Sequence, residues 1–406
     1  MLKLRNPMTS DSRWHTTKSA AQGWRRRWGT TDWGSFPIVL GLCGIWLIFW
    51  LANEKFLSPL NLTNLVLQIA ALGTLAISVF LVLLLGEIDL SAGMVSGLCA
   101  AIMAVLNVKA GVPGPVAVLA GMLVGMGIGL FQGAWITKLH IPSFIVTLAG
   151  MIAWQGALLW VLGNTGTINL RDSFITGLAS TFFKEVWVGV SLGAALVMGY
   201  AALQFLDRHR RLTAGLAATS AQTILVRVTL VAVVVGEALL VFYMDRGLPL
   251  AAVIFVGLVI LIDWLTQRTI FGRHIYAVGG NAESARRAGI QVDRVRIVVF
   301  MLASTMAAIA GVLAASRLVA VNQSSGSSDF LLNAIAATVI GGTSLFGGRG
   351  TAWSALLGAL VIGSISNGMD LLAFESSLKF IITAAVLLAA VTVDAVTRRR
   401  HEAVGR

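Results

Sequence analysis

"GGNAESARRAGIQVDR", residues 279–294, lies between one apolar stretch that ends near Leu265 and another that begins near Arg296. The run is polar, opens on a glycine pair and carries its arginines toward the end. Asn281 can accept a hydrogen bond from the free backbone N–H groups of a helix start. Glu283 suits the positive end of that helix, and Gly289 can stop it. The spacing therefore predicts a short charged helix entered through a glycine turn at Gly279–Gly280. What such a helix is for depends on the stretches that flank it.

Those stretches belong to a membrane protein. The chain has 406 residues, of which 57% are hydrophobic and 12% charged, with a mean hydropathy of +0.85. A soluble domain carries about a quarter of its residues charged. Apolar segments recur at 36–52, 65–85, 90–107, 114–137, 142–162, 187–206, 223–243, 249–266, 296–318, 331–346, 351–369 and 378–395. Runs of about 17–25 such residues are what a bilayer core of about 30 Å requires. The fold class is all-α and polytopic, with about 10–12 transmembrane helices. The alternating segments of about ten residues expected of a β-barrel are absent. The 331–346 segment is short and rich in alanine and glycine, so it reads as a broken or re-entrant helix.

Basic residues set the orientation. With residues 1–35 inside and all twelve segments crossing, all but seven of the 30 Lys and Arg fall on the inner side. The exceptions are Lys55, Lys109, Arg171, Lys184, Arg246, Arg317 and Lys379. That bias predicts that both termini and the loop at 267–295 face the cytoplasm. The domain reading is a basic, Trp-rich tail at 1–35, a transmembrane domain at 36–395 and a second basic tail at 396–406. Trp24, Trp28 and Trp33 beside Arg25, Arg26 and Arg27 suit a lipid-interface anchor. The net charge of +12 is thus a matter of topology, and nucleic acid is not an expected partner. Cys43 and Cys99 both lie within apolar segments and read as buried, unpaired thiols.

Four further stretches invite a functional reading. In "GEIDLSAG" (86–93), Glu87, Asp89 and Ser91 stand where two apolar helices meet. Asp89 or Ser91 can cap the second helix. Irregular backbone in a membrane must face protein or water, so Glu87, Asp89, Ser91 and, farther on, Asn367 are candidates to line a translocation pathway. "IGGTSLFGGRGT" (340–351) is glycine-rich but lacks the Gly-Lys of a phosphate-binding loop, and reads as a tight turn that lets helices approach. "AGMLVGMGIGLFQGAW" (120–135) repeats small residues at close-packing intervals. The 163–186 stretch is the longest expected outside and suits docking of an external partner. A faint echo between 83–101 and 339–359 suggests two pseudo-symmetric repeats. No catalytic or metal-ligating constellation emerges, so no enzyme, metal or bound cofactor is expected.

Taken as a unit, "FGRHIYAVGGNAESARRAGIQVDRVRIVVF" (271–300) resembles the cytoplasmic coupling region of the permease subunits of bacterial ATP-binding cassette (ABC) sugar importers. This is the ribose, arabinose, galactose and xylose group. "GEIDLSAGMVSG", "IPSFIVTLAGM" (141–151), "VIGGTSLFGGRGT" and "SNGMDLL" (366–372) resemble further motifs of that group in the same order. Within it, "FIVTLAGMIAWQG" (144–156), the added basic loop and span at 207–243 and "DRGLPL" (245–250) are most similar to the xylose permeases. Gln132 before Gly133 departs from the usual Asn-Gly, and the amino-terminal tail is longer than usual.

The resemblance implies a homodimeric permease in the bacterial inner membrane. Its implied partners are a cytoplasmic ATP-binding subunit that carries the ATP and a periplasmic sugar-binding protein, with lipid around the spans. Gly279, Gly280, Asn281, Glu283, Ala285, Arg286, Arg287 and Gly289 would form the coupling element. The competing reading is an ion-coupled secondary transporter with Glu87 or Asp89 as proton carrier, and a non-transporting scaffold is a third.

Overall fold

The computed structural model describes residues 36–386 together with 388 and 392. The two tail domains and the Trp/Arg anchor lie outside the described residues. All twelve apolar segments form helices. They are α1 (Phe36–Ala52), α2 (Pro59–Leu84), α3 (Ala92–Val108), α4 (Gly114–Leu139) and α5 (Ser143–Leu162). Next come α7 (Val186–Thr213), α8 (Ala221–Asp245), α9 (Leu250–Arg268), α12 (Val292–Leu318), α13 (Ser328–Ile340), α14 (Ala352–Leu371) and α15 (Ser376–Val386). Eight of these are long and apolar enough to cross a bilayer by length and composition; α1, α3 and α13 are shorter, as is the described part of α15. The chain is an all-α polytopic membrane protein.

Three more helices do not span: α6 (Ser173–Ser180), α10 (Ile270–Gly280) and α11 (Ala282–Arg287). Two antiparallel ladders tie loops together at one end. β1 (Thr167–Asn169) pairs with β4 (Ala320–Asn322), and β2 (Phe182–Phe183) with β3 (Leu248–Pro249). With 13 residues, α13 reaches only about 20 Å, short of a bilayer core. It is the broken helix expected near 331–346.

At the centre stand α2 and α12. Nearly all of α2 is buried, which for a helix apolar on every face means that protein surrounds it. In lipid such helices gain little from hydrophobic transfer, and close backbone approach carries the packing instead. The stripe Gly121, Gly125, Gly129 and Gly133, each one turn from the next, lays α4 against its neighbours. A Cβ at Gly125 would stand 2.8 Å from the Ala308 Cβ, one at Gly133 2.9 Å from the Ile297 Cα, and one at Gly129 would overlap the Phe300 carbonyl. Gly121 meets the Cys99 carbonyl of α3 in the same way. Cys99 is buried, but Cys43 is exposed on α1, because that helix presents most of its surface outward.

The helix contacts fall into two exchanged sets. α12 packs on α2, α3 and α4, while α2 packs on α12, α13 and α14; α3 packs on α4 as α13 packs on α14. These contacts pair α3 with α13. The sequence echo instead paired the head of α3 with the head of α14, because small apolar residues match in any register. Each set contains a helix break, and the second break touches the first turns of α3. Beyond β4, the 323–327 loop reaches back so that the Gly326 carbonyl lies 2.9 Å from a Cβ built at Gly93, and a Cβ at Gly97 would overlap the Ser325 carbonyl.

Candidate functional site

The charged segment forms the helix that its residues predict. Asn281 Oδ1 accepts a 2.8 Å hydrogen bond from Ser284 N at the start of α11. At the other end Gly289 takes φ +87°. Gly289 N donates to Arg286 O, and Ile290 N to Ala285 O, both at 3.0 Å, the paired closure of a glycine-capped helix. The glycine pair is not a turn, however. Gly279 and Gly280 are the last residues of α10, and Gly279 is there because nothing larger fits: a Cβ would overlap the Leu84 carbonyl at the end of α2.

That contact belongs to a junction of three segments distant in sequence. The glycine-rich loop at 341–351 folds against both α2 and α10. Gly348 N donates to Leu84 O at 2.9 Å, and a Cβ at Gly347 would fall 2.6 Å from the Gly279 carbonyl oxygen and 2.7 Å from Gly86 N. The Tyr276 hydroxyl of α10 donates to Gly350 O at 2.7 Å. Burial pushes that hydroxyl up to about 12, so it stays protonated and remains a donor across the physiological range.

On the outer side of this seat, Ala285 is buried while the arginines are exposed. Arg287 pairs with Glu283 at 3.1 Å, and Arg286 approaches Glu283 at 3.5 Å and Asp293 at 3.8 Å. Ion pairs this exposed are worth little in water, and the guanidinium groups can exchange them for other carboxylates. The segment is thus fixed on its inner side and charged on its outer side.

Of the four candidate pathway residues, three lie next to this junction. Glu87 binds Arg296, near the start of α12, at 2.9 Å with both side chains largely buried. Asp89 Oδ1 accepts from Ser91 N at 2.8 Å and from Ser91 Oγ at 2.6 Å, which makes Asp89 the residue that satisfies the head of α3. Gln132 Nε2 of α4 donates to Ser91 Oγ at 2.9 Å. From α5, Ser143 Oγ and Thr147 Oγ1 accept from Ile88 N and Leu90 N at 3.3 and 3.1 Å. The broken stretch 86–91 thereby has side-chain partners for backbone groups that a membrane interior leaves dry.

Asn367 lies elsewhere. It forms a buried reciprocal amide pair with Asn61, at 2.8 and 3.1 Å. Asn61 and Leu84 stand near opposite ends of α2, about 35 Å apart along that helix. Glu87, Asp89 and Ser91 therefore form one cluster and Asn367 does not join it. Sequence reasoning passed over Arg296, which had counted only as a topological charge. It also passed over Leu84, Gly347, Gly348 and Tyr276, whose roles depend on contacts that no local pattern signals.

The end remote from α11 carries the loops between helices. A cavity of about 780 Å³ is lined by Asn107, Lys109, Arg171 and Asp172 among others. Burial acts to raise the Asp172 carboxyl, but hydrogen bonds from Ile175 N, Asn107 and Phe174 N outweigh it and hold it below the usual carboxylate range. A second cavity of about 640 Å³ is lined in part by Lys184, Arg246 and Arg317. The 163–186 stretch contributes to both.

Two exchanged helix sets, glycine-mediated packing and a charged helix at the bundle end define a polytopic helical membrane protein. Residues 61–391 match the family described as branched-chain amino acid transport system / permease component, and the chain belongs to that family. It is a translocation component rather than a catalytic subunit. It is similar to the xylose transport system permease protein XylH of Escherichia coli strain K12, 36% identical over 90% of this chain and 92% of that protein. The XylH of Haemophilus influenzae is 34% identical, over 90% of this chain and 97% of its own length. The ribose import permease protein RbsC of Bacillus subtilis is 32% identical over 87% and 91%. No solved structure matches significantly.

Proposed function

We propose that this chain is the transmembrane subunit of an ABC importer that moves a monosaccharide, xylose, across the inner membrane with ATP hydrolysed on a separate subunit. One observation carries the mechanism: α10 is seated by backbone contact of Gly279 on the end of α2 and leads directly into α11, which turns Arg286 and Arg287 outward. A cytoplasmic ATP-binding subunit with acidic groups facing those arginines would grip the segment, and closure of that subunit would press it against the bundle. In this orientation the α11 end is cytoplasmic and both termini lie on the same side. The end with the two basic-lined cavities faces the periplasm, where a sugar-binding protein would deliver its cargo. A second copy of the chain completes the transporter, and lipid covers the outward faces of α7 and α8. ATP binds the partner, and this chain holds no cofactor of its own.

The similarity to xylose permeases over nine-tenths of the chain favours xylose over ribose. The ion-coupled alternative needs a free carboxylate. Glu87 is engaged by Arg296, whereas Asp89 gives Oδ1 to Ser91 and leaves its buried Oδ2 without a hydrogen-bond partner among the described residues. Uptake by the chain alone under a pH gradient is the measurement that separates the two readings. The test is charge reversal in the assembled importer. Arg286→Glu with Arg287→Glu is expected to release the ATP-binding subunit during purification and to lower ATP-dependent xylose uptake at least tenfold. Normal association and uptake would show that the outward arginines of α11 are not the grip.

A further inference from the structure

A push on α11 must reach the translocation route, and the contacts mark where it goes. Glu87 and Arg296 face each other across the junction at 2.9 Å, 15% and 25% exposed. Arg296 belongs to the first turns of α12, directly after the coupling segment, and Glu87 is the third residue of the break between α2 and α3. Arg296 Nε is also buried and has no hydrogen-bond partner among the described residues, so Glu87 is the acidic anchor of that guanidinium. Beyond Glu87 the break is tied at Ile88 and Leu90 to α5 and, through Ser91, to Gln132 of α4. Past the break, Gly93 and Gly97 in the first turns of α3 touch the opposite helix break at Ser325 and Gly326.

We propose that the Glu87–Arg296 pair is the positioning link that converts movement of the coupling segment into movement of the 86–91 break. A displaced 86–91 shifts the head of α3, so that Gly93 and Gly97 move against Ser325–Gly326 of the opposite helix break. The backbone contact between Gly279, Leu84 and Gly348 acts as the fulcrum, because it holds α10 and α2 together while α12 and the break move. An ion pair suits this link. It resists separation when largely buried, since either charge alone would be left unpaired, yet it tolerates rotation better than interlocked side chains do.

The inference rests on the proposed importer function, and its test separates the two. The full importer, with its ATP-binding subunits and sugar-binding protein, is reconstituted in vesicles, and xylose taken up is divided by ATP hydrolysed. Glu87→Arg and Arg296→Glu are each expected to lower that ratio about tenfold while the ATP-binding subunit still copurifies. The double variant Glu87→Arg/Arg296→Glu, which restores opposite charges, is expected to recover most of it. A purely structural pair would instead alter yield and thermal midpoint at an unchanged ratio. If the charge reversals do not assemble, Glu87→Gln decides: a roughly threefold lower ratio supports the link, and a wild-type ratio overturns it. Single reversals at the wild-type ratio, or assembled singles with no recovery in the double variant, also overturn it. A wild-type importer that takes up no xylose with ATP would defeat the functional reading itself.

Discussion

The α2–α12 core and the α7–α8 hairpin have similar hydropathy and opposite surroundings. Of the apolar windows of α2 and α12, 89% and 61% is buried, with 33% in α4, whereas in α7 and α8 only 11% and 6% is. The core is stitched by glycines that bring one backbone onto another. In the hairpin a Cβ at Gly199 or Gly236 would meet nothing within 4 Å. Hydropathy alone thus says that a helix is in the membrane but not whether protein or lipid lies beside it. The spacing of small residues carries the rest, and substitutions at glycine measure it.

The largest effect is expected where the core meets the coupling segment. Gly279→Leu places a side chain into the Leu84 carbonyl, and relief requires separating α10 from α2. Folded, monodisperse permease by size-exclusion chromatography should fall at least tenfold. A normal profile would show that this junction is not rigid. A smaller loss is expected inside the core. Gly129→Leu forces α4 away from Phe300, and overpacking of this kind costs about 1–3 kcal/mol, read as a lower thermal midpoint in detergent. An unchanged midpoint would mean that α4 and α12 have slack between them. The smallest effect is predicted for Gly236→Ala in α8, where open space and helix propensity make the change neutral or stabilising by up to about 1 kcal/mol. A clear loss of stability there would reveal a protein neighbour on the hairpin rather than lipid.

The same contrast explains what the sequence could disclose. The twelve apolar segments were legible because bilayer thickness sets a length that composition alone can meet. The caps of α11 were legible because Asn281 and Gly289 act on groups within a few residues of themselves. The packing of Gly121, Gly125, Gly129 and Gly133 was legible as a spacing, though not its partner. What stayed hidden joins distant segments: Glu87 with Arg296, Gly279 with Leu84 and Gly348, Asn61 with Asn367. A charge near a helix end serves topology and ion pairing equally well, so Arg296 gave no sign of which it did. The glycine pair at 279–280 read as a turn because glycine usually serves conformation, and only the close approach of α2 reveals that it serves space.

The central claim is that this chain receives work from a separate ATP-binding subunit and generates none itself. The direct measurement is radiolabelled xylose uptake into vesicles holding either the chain alone under an imposed pH gradient or the full importer with internal ATP and its sugar-binding protein. Uptake is expected only in the second case and is abolished when the ATP-binding subunit is omitted. Uptake by the chain alone, driven by the pH gradient, would contradict that claim.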